Sequence, residues 1–407
     1  MTARAPGPPL ARWTLALRRS ALQDLLVATA RPEVLSLALG LPAADLFPTA
    51  AVDEAIGRVL RADPRALQYG PSSSELRAFV ARLMARRGVA CEPEQVFLTA
   101  GAQQGMSLLA RLLLDPGATI VLEESCYTGF QQAVSPHEPH IVTVPTSPAT
   151  GIDVDALERA LAGGLRPTLL YAMSDGHNPT GASLPREARR RLVDLARDHR
   201  MPILEDDAYG MLTYDREELP ALRAFDSEWV LYLGSFSKTL APGLRTGWVV
   251  VPERFIGPLA SLKESSDIDT ATLGQRAVAA FVASGGFEEH LERLRTEYAR
   301  RRDALLAALN RSFPKDARWS VPRAGFFTWV DLPRGIDAWV LFEAALQREK
   351  VAFLPGGAFA AGDAAPATSS LRLSFSYSPP EVLQEGVARI ARALESLHPA
   401  ASGVPHD

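Results

Sequence analysis

The segment GSFSKTLAPGLRTG, residues 234–247, places Lys238 in a polar loop between two apolar runs. Ser235 and Ser237 come just before this lysine, and Arg245 follows it seven positions later. A nucleophilic lysine needs a lowered pKa and a fixed position, which burial beside cationic and polar groups provides. A dianionic phosphate needs hydroxyl donors and a bidentate guanidinium. The segment meets both requirements, although a solvated loop lysine is the simpler interpretation of any lysine taken singly.

Length and composition exclude several classes of protein. A chain of 407 residues is too long for one small core, so we expect two to three domains or a large and a small one. The formal net charge of −4 gives no electrostatic reason to expect a nucleic-acid or membrane partner. Cys91 and Cys126 lack disulfide or metal-ligand spacing, which indicates a reducing, cytoplasmic location and no metal site. No segment reaches the roughly 20 apolar residues of a membrane span.

Short apolar runs alternate with helical patterns through the first two thirds of the chain. Strand-like runs lie at residues 96–99, 119–122, 169–173, 203–204 and 229–233. Continuous apolar strands alternating with helices predict a mostly parallel sheet covered by helices on both faces. Ligands of such sheets bind at the carboxyl ends of the strands.

The pattern changes near residue 285. Residues 288–309 form a long, heavily charged helical pattern whose apolar residues follow one stripe, as expected of a helix that links two domains. Strand-like segments follow at 326–330 and 371–375. This part of the chain predicts a smaller α+β domain.

The lysine segment resembles the signature S-x-S-K-x-x-x-P-G-x-R-x-G of the class I and II aminotransferases, which belong to pyridoxal 5'-phosphate (PLP) fold-type I. The matching residues are Ser235, Ser237, Lys238, Pro242, Gly243, Arg245 and Gly247. The pattern is long and specific, and the resemblance covers nearly the whole chain. Its nearest relatives look like the 2-aminoadipate and kynurenine aminotransferases.

The resemblance implies the fold class and the division of the chain. It implies an α/β protein with a large domain, built on a mostly parallel seven-stranded sheet between helices, and a smaller α+β domain. We expect an N-terminal segment 1–48 joining the small domain, a large PLP-binding domain 49–285 and a small domain 286–407. It also implies a homodimer with shared active sites.

Further residues match the cofactor contacts of this family. Asp206, in the family pattern D-x-A/P-Y, would face the ring nitrogen, and Tyr209 would donate to the phenolic oxygen O3'. Asn178, in the turn Asn-Pro-Thr-Gly, would donate to the same oxygen. Tyr127 matches the aromatic residue that stacks on the cofactor ring, although a tyrosine after a strand is more often a packing residue. Asp207 would then be a spare acid at the strand end.

The phosphate contacts implied by the resemblance come from two segments. A strand-to-helix junction at residues 99–105 offers backbone donors at a helix start and is similar to the family's G-S-Q-Q loop. Ala102 replaces a serine of that loop, so the amides of Ala102 and Gln103 carry more of the binding. Ser235, Ser237 and Arg245 provide the remaining contacts. Tyr69 resembles the tyrosine that reaches the phosphate of the neighbouring subunit, but the loop after it is shorter than usual.

Substrate contacts are implied at Arg372, Asn178, Gly40 and Leu39. Arg372 lies inside an apolar run and needs an anionic partner. The resemblance implies that this partner is the substrate α-carboxylate, and the alternative is an acidic side chain in a structural salt bridge. Leu39 stands where relatives usually have glycine, which would narrow the pocket. His177 stands where a glutamine-like residue is usual, and it relays protons, binds a polar group of the substrate or caps the turn.

These residues imply a PLP-dependent aminotransferase that moves an amino group between an L-amino acid and a 2-oxo acid. The alternative is a PLP-dependent lyase, γ-replacement enzyme, cyclase or oxidase of specialised metabolism, because the same cofactor supports all of these reactions. A regulator with a winged-helix domain ahead of the PLP fold is not expected, because only about 35 residues precede the first family segment.

Overall fold

Short apolar strands build the core of the molecule. The computed structural model describes residues 9–11, 13–14, 33–215 and 218–397. In chain order the strands are β1 (Leu35–Ser36), β2 (Val96–Thr99), β3 (Thr119–Glu123), β4 (His140–Val144), β5 (Thr146–Ser147), β6 (Gly151–Ile152), β7 (Leu169–Ala172), β8 (Ile203–Asp207), β9 (Val230–Ser235), β10 (Gly247–Val250), β11 (Arg318–Trp319), β12 (Phe327–Asp331), β13 (Val351–Ala352), β14 (Leu354–Pro355) and β15 (Ser370–Ser374).

The main sheet has seven strands in the order β2-β10-β9-β8-β7-β3-β4. Strand β10 pairs antiparallel with both β2 and β9, and all other pairs are parallel. Every residue of β7, β8, β9 and β10 is buried. Burial on both faces explains why these strands read as continuous apolar runs instead of alternating ones. The expected mostly parallel, seven-stranded sheet is confirmed.

Helices cover this sheet and connect its strands. In chain order they are α1 (Thr49–Ala62), α2 (Ser74–Arg86), α3 (Ala102–Leu113), α4 (Thr128–Val134), α5 (Val154–Ala162), α6 (Arg186–Asp198), α7 (Ile256–Asp267), α8 (Thr272–Ala283), α9 (Gly286–Ser312), α10 (Ala338–Ala344) and α11 (Pro380–Leu397). Helix α3 packs on β9 and β10, which brings its N-terminus to the carboxyl edge of the sheet. Within the described ranges, no helix combines the length and apolar character needed to cross a bilayer.

A second sheet follows the long helix α9. Its order is β11-β12-β15-β14, with antiparallel pairing throughout. Helix α9 includes the predicted helical pattern at 288–309, and it packs against α11. Strand β1 pairs parallel with β13, which ties residues 35–36 to this part of the chain. The boundaries proposed near residues 48 and 285 stay predictions, and most of residues 1–32 lie outside the described residues.

Several predicted strands differ from the observed ones at their ends by one or two residues, and the runs 119–122 and 229–233 end later than predicted, at Glu123 and Ser235. The run 169–173 ends one residue earlier, at Ala172, and the segments 326–330 and 371–375 are displaced by one position. Apolar composition marks the buried part of a strand, whereas ladder hydrogen bonds set its limits, so shifts of this size are expected.

The contact between α3 and the sheet is close enough to test. A Cβ on Gly105 would lie 2.4 Å from Cδ1 of Leu233 and 3.0 Å from Cγ1 of Val249. We expect Gly105→Ala to lower the free energy of unfolding by about 1–2 kcal/mol, because overpacking outweighs the gain in helix propensity. Gly257→Ala in α7 is the control, since nothing lies within 4 Å of its Cβ. Chemical denaturation of both variants measures the effect, and equal stability changes would contradict the packing argument.

Candidate active site

A cavity of about 310 Å³ lies at the carboxyl ends of the central strands. The predicted site residues that line it are Leu39, Gly40, Ala102, Gln103, Tyr127, Asn178, Asp206, Tyr209, Ser235, Ser237, Lys238, Arg245 and Arg372. They come from both sheets and from the segment after β1, far apart in the chain. Tyr69 is the one predicted site residue that does not line it.

Lys238 follows the end of β9 and points into this cavity. Its Nζ donates a hydrogen bond to the carbonyl oxygen of Gly40 at 2.9 Å and lies 5.7 Å from the centre of the Phe326 ring. Burial, and next the positive charge of Arg372, lower the pKa of Lys238 to about 8, although Asp206 opposes the shift. A substantial share of the amine is therefore neutral near pH 8, as a nucleophile or base requires.

Asp206 lies in β8 with its carboxylate at the cavity wall. Its Oδ2 accepts a hydrogen bond from Oη of Tyr171 at 2.7 Å. Its Oδ1 is buried and has no hydrogen-bond partner among the described residues. Burial raises the pKa of Asp206 to about 7, and the Tyr171 hydrogen bond acts in the opposite direction. A buried acceptor oxygen facing a cavity fits the protonated nitrogen of a pyridine ring.

The neighbouring acids of β8 serve the scaffold. Asp207 accepts hydrogen bonds from Nε of Arg87 at 3.1 Å and from Oη of Tyr232 at 2.7 Å. It also accepts from the amide of Gly210 at 2.6 Å. Neither Glu205 nor Asp207 lines the cavity, because successive side chains of a strand face opposite sides of the sheet. Asp207 is therefore a structural acid, and Asp206 alone of the three faces the cavity.

Two segments form a site suited to an anion. Helix α3 begins at Ala102 after Gly101, and the helix start has no side-chain cap. Arg245 donates from Nη2 to the carbonyl oxygen of Ala100 at 2.8 Å, which holds its guanidinium beside the helix start. Gly101 has a positive φ of 82°, a conformation that favours glycine, and a Cβ there would also lie 2.5 Å from that guanidinium. Uncapped amides next to a cation match the phosphate end of PLP.

The serines of the lysine segment stand at the same end of the cavity. The hydroxyl of Ser235 accepts from the amide of Ser237 at 3.0 Å, and this bond fixes the turn before Lys238. Both serines line the cavity together with Arg245. Hydroxyl groups beside a guanidinium complete the donor set that a phosphate needs.

Arg372 lies in the interior of β15 and is almost fully buried. It donates from Nη1 to Oδ1 of Asn178 at 2.7 Å and from Nη2 to the carbonyl oxygen of Ala38 at 2.6 Å. The rings of Phe327 and Phe359 lie 4.0 and 4.9 Å from its guanidinium. No carboxylate pairs with it in the described part of the chain, so the structural salt bridge is not found. Burial lowers the pKa of Arg372 to about 9, and an anion in the cavity would reverse that shift.

Tyr127 and Tyr209 keep their protons. Burial raises the pKa of Tyr127 to about 12 and raises that of Tyr209 further. The Tyr209 ring packs edge-on against Phe326 and Phe327, with centroid distances of 5.2 and 5.9 Å. Both phenols are therefore available as neutral hydrogen-bond donors at physiological pH.

His177 is buried but does not line the cavity. Its Nδ1 lies 2.8 Å from Oγ1 of Thr180, and its Nε2 lies 3.2 Å from Oε2 of Glu123. Because a carboxylate only accepts hydrogen bonds, Nε2 carries the proton towards Glu123. The histidine thus caps the turn that presents Asn178, and of the three interpretations offered by the sequence the geometry supports this one.

Tyr69 lies apart from the other predicted residues. Its side chain is 75% exposed and stands outside the cavity. The next residue, Gly70, donates its amide hydrogen to Asp269 at 3.3 Å. A contact of Tyr69 with the cavity of its own chain is therefore not present.

Several residues at or behind the cavity were not singled out from the sequence. Phe327 forms one wall, and Phe359 stacks on Arg372. Tyr171 bonds to Asp206 from the adjacent strand. The apolar pattern of these strands did not indicate which residues would face the cavity. Tyr171 could have been singled out, because a tyrosine inside a buried strand requires a hydrogen-bond partner.

Comparison with known proteins places this chain in a family. Residues 32–390 match the family described as aminotransferase class I and II. The chain belongs to the class I and II aminotransferases. It is 40% identical to a 2-aminoadipate transaminase of Thermus thermophilus, over 94% of this chain and 95% of that protein.

Solved structures agree with this assignment. The α-aminoadipate aminotransferase of Thermus thermophilus, in complex with N-(5'-phosphopyridoxyl)-L-leucine, has a TM-score of 0.88 and 38% identity, covering 95% of this chain and 97% of that one. The kynurenine aminotransferase of Pyrococcus horikoshii, in complex with PMP, has a TM-score of 0.90 and 32% identity, covering 96% and 98%.

The family and these structures establish three properties of the aminotransferase. Its fold is PLP fold-type I, its cofactor is PLP and its reaction is amino transfer. The lyase, γ-replacement, cyclase or oxidase alternative is not favoured. The unpartnered Oδ1 of Asp206 and the uncapped start of α3 fit the two ends of this cofactor.

The cap formed by His177 leads to a stability prediction. We expect His177→Ala to lower the free energy of unfolding by about 1–3 kcal/mol, because Thr180 and Glu123 lose their buried partner. His177→Gln is the control, since an amide supplies both a donor and an acceptor, and its loss is expected to be smaller. Thermal and chemical unfolding of both variants measures this, and equal losses would contradict the capping role.

Proposed function

We propose that this aminotransferase binds the α-carboxylate of an L-amino acid at Arg372 and uses the Lys238 amine to move the α proton. The observation that carries the proposal is the convergence of both groups on one cavity with Asp206. Arg372 is a buried cation without an anionic partner in the described residues, and Lys238 has a lowered pKa. A carboxylate ligand and a proton acceptor are what amino transfer requires.

The same residues define how the cofactor would be held. Lys238 would carry it, Asp206 would face its ring nitrogen, and Asn178 and Tyr209 would donate to its phenolic oxygen. Ala102, Gln103, Ser235, Ser237 and Arg245 would grip its phosphate, and Tyr127 would stack on its ring. When bound, PLP supplies an electron sink for negative charge at the substrate α carbon.

The protein residues contribute binding, orientation and proton transfer. Arg372 holds the substrate carboxylate in place, since Asn178 and the Ala38 carbonyl fix its guanidinium. Lys238 lines the same cavity and is neutral in part because its pKa is about 8, so it would be the residue that accepts the α proton. Asp206 in its charged form keeps a proton on the ring nitrogen, which favours loss of the α proton.

The walls of the cavity favour an apolar donor side chain. The charged residues that line it in the described part of the chain are Asp206, Lys238, Arg245 and Arg372. Each already has a proposed role with the cofactor or the α-carboxylate. The walls left for the side chain include Leu39, Leu41 and Phe327. A second carboxylate would be desolvated there without a partner among the described lining residues, which is costly.

A donor panel tests these roles. With 2-oxoglutarate and pyruvate as acceptors, we expect leucine, phenylalanine and kynurenine to exceed 2-aminoadipate in kcat/KM by about tenfold. Release of the matching 2-oxo acid measures turnover. Lys238→Ala is the control and should be inactive with every donor. Turnover by that variant, or 2-aminoadipate as the best donor, would overturn the proposal.

We also propose that two copies of the chain form a homodimer that shares its active sites. Two apolar residues near Tyr69 are exposed. Leu67, two positions before it, is 72% exposed, and Ile268, which precedes the Asp269 that bonds to Gly70, is 71% exposed. Ile268 adopts a positive φ of 58°, a strained conformation for a β-branched residue. A second copy would cover this surface and receive Tyr69. The cytoplasmic location and a biosynthetic role stay predictions.

Mixing two defective variants tests the sharing of sites. Tyr69→Ala and Lys238→Ala chains, each of low activity alone, are refolded together in equal amounts. If Tyr69 serves the neighbouring site, hybrid dimers contain one intact site and the mixture recovers about a quarter of the native activity. A mixture no more active than its separate components would contradict a shared site.

A further inference from the structure

We propose that Tyr171 is a positioning residue that keeps Asp206 ionised and directs its free oxygen towards the cofactor nitrogen. The proposal rests on the role given above to Asp206. Tyr171 itself does not line the cavity, and so it acts through the carboxylate.

The geometry assigns the two oxygens of Asp206 to different partners. Tyr171 lies in β7 and Asp206 in the adjacent parallel strand β8. The Tyr171 hydroxyl donates to Oδ2 at 2.7 Å, and both side chains are buried. Oδ1 has no partner among the described residues. With Oδ2 occupied, rotation of the carboxylate is restricted and Oδ1 is the oxygen left for a ligand in the cavity.

The Tyr171 ring is itself held in place. It stacks on the ring of Phe130 from α4, with a centroid distance of 3.9 Å and an interplanar angle of 9°. This stacking orients the hydroxyl independently of the hydrogen bond. Replacement by phenylalanine therefore removes the donor while keeping the aromatic packing.

Tyr171 is the one described hydrogen-bond donor to this carboxylate. The other titratable groups that influence Asp206 are Glu205 and Asp207 in its own strand, Lys238 after β9, Cys126 and Tyr127 after β3, and Tyr209. Glu205 and Asp207 are negative and disfavour its charge, whereas Lys238 favours it. Tyr171 supports the ionised form by a direct hydrogen bond, whereas Lys238 acts on it only through its charge.

The direction of the effect follows from burial. Burial raises the pKa of Asp206 to about 7, and the hydrogen bond from Tyr171 lowers it. Loss of the hydroxyl therefore raises this pKa further, so the carboxylate takes up its proton at a higher pH. A protonated Asp206 no longer pairs with a protonated ring nitrogen. As the pH is lowered, a variant without this hydroxyl should therefore lose cofactor binding and turnover at a higher pH than the native enzyme does.

The chain contains a matched control. Tyr232 in β9 donates to Oδ2 of Asp207 at 2.7 Å, as Tyr171 does to Asp206. Both tyrosines are buried, and the two acids are consecutive residues. Asp207 does not line the cavity and pairs with Arg87. Tyr232→Phe thus removes an equivalent bond from an acid that faces away from the cofactor.

The experiment compares Tyr171→Phe, Tyr232→Phe and the native holoenzyme. The acid limb of kcat/KM and the dissociation constant of PLP are each measured as a function of pH. For Tyr171→Phe we expect both profiles to move up by about one pH unit, with activity near native on the alkaline side. For Tyr232→Phe we expect lower stability and unmoved profiles. Unmoved profiles in Tyr171→Phe, or equal shifts in both variants, would sink the proposal.

A second replacement covers the case in which Tyr171→Phe does not fold. Incorporation of 3-fluorotyrosine at position 171 makes the phenol a stronger donor, so the acid limb and the PLP profile should move down in pH. A shift upwards, or none, would overturn the proposal. A failure of the proposed function would give a different result from a failure of this proposal. If the native protein transfers no amino group, the pH dependence of PLP binding still tests the link between Tyr171 and Asp206.

Discussion

The structure depends on the burial of charge at the carboxyl end of β8, where three acids follow one another. The alternation of a strand sends Asp206 to the cavity and the other two acids to the far side. Arg87 neutralises Asp207 and also bonds to Asp175 at 2.5 Å, and Asp175 in turn pairs with Arg189. This buried network links α2, α6, β8 and the loop that carries Asn178. Glu205 accepts hydrogen bonds from Ser174 and from the amides of Leu222 and Arg223, and Asp207 pairs with Arg87. Oδ1 of Asp206 has no partner among the described residues, so Asp206 is the acid able to receive a ligand.

Arg372 presents the complementary case of an unpaired cation. Two aromatic rings, an amide oxygen and a backbone carbonyl hold its guanidinium, but no carboxylate in the described residues neutralises it. Burial lowers the pKa values of both Arg372 and Lys238, and repulsion by the charge of Arg372 lowers that of Lys238 further. An incoming carboxylate relieves this repulsion. With Arg372 as the proposed carboxylate ligand, the electrostatics that lower the pKa of Lys238 also favour binding of the substrate.

Much of this arrangement was predictable from the sequence. The lysine segment and the Asn-Pro-Thr-Gly turn identified the family, and the alternation of apolar runs with helical patterns indicated the parallel sheet that the structure contains. Residues that the motifs named, from Ala102 to Arg372, do line one cavity. Tyr69 could not be placed, because its proposed contact lies in another chain. The role of His177 was open, since only the positions of Thr180 and Glu123 decide what the imidazole bonds to.

The sequence by itself indicated PLP chemistry, because the lysine, the proposed phosphate ligands and the proposed acid occur in short motifs whose spacing is local. Only the tertiary structure decided which atoms meet. The bond from Tyr171 to Asp206, the bond from Arg87 to Asp207 and the rings around Arg372 join residues that lie on different elements of the fold. Such contacts depend on strand order and register, and those are set by packing of the whole core and not by any single segment.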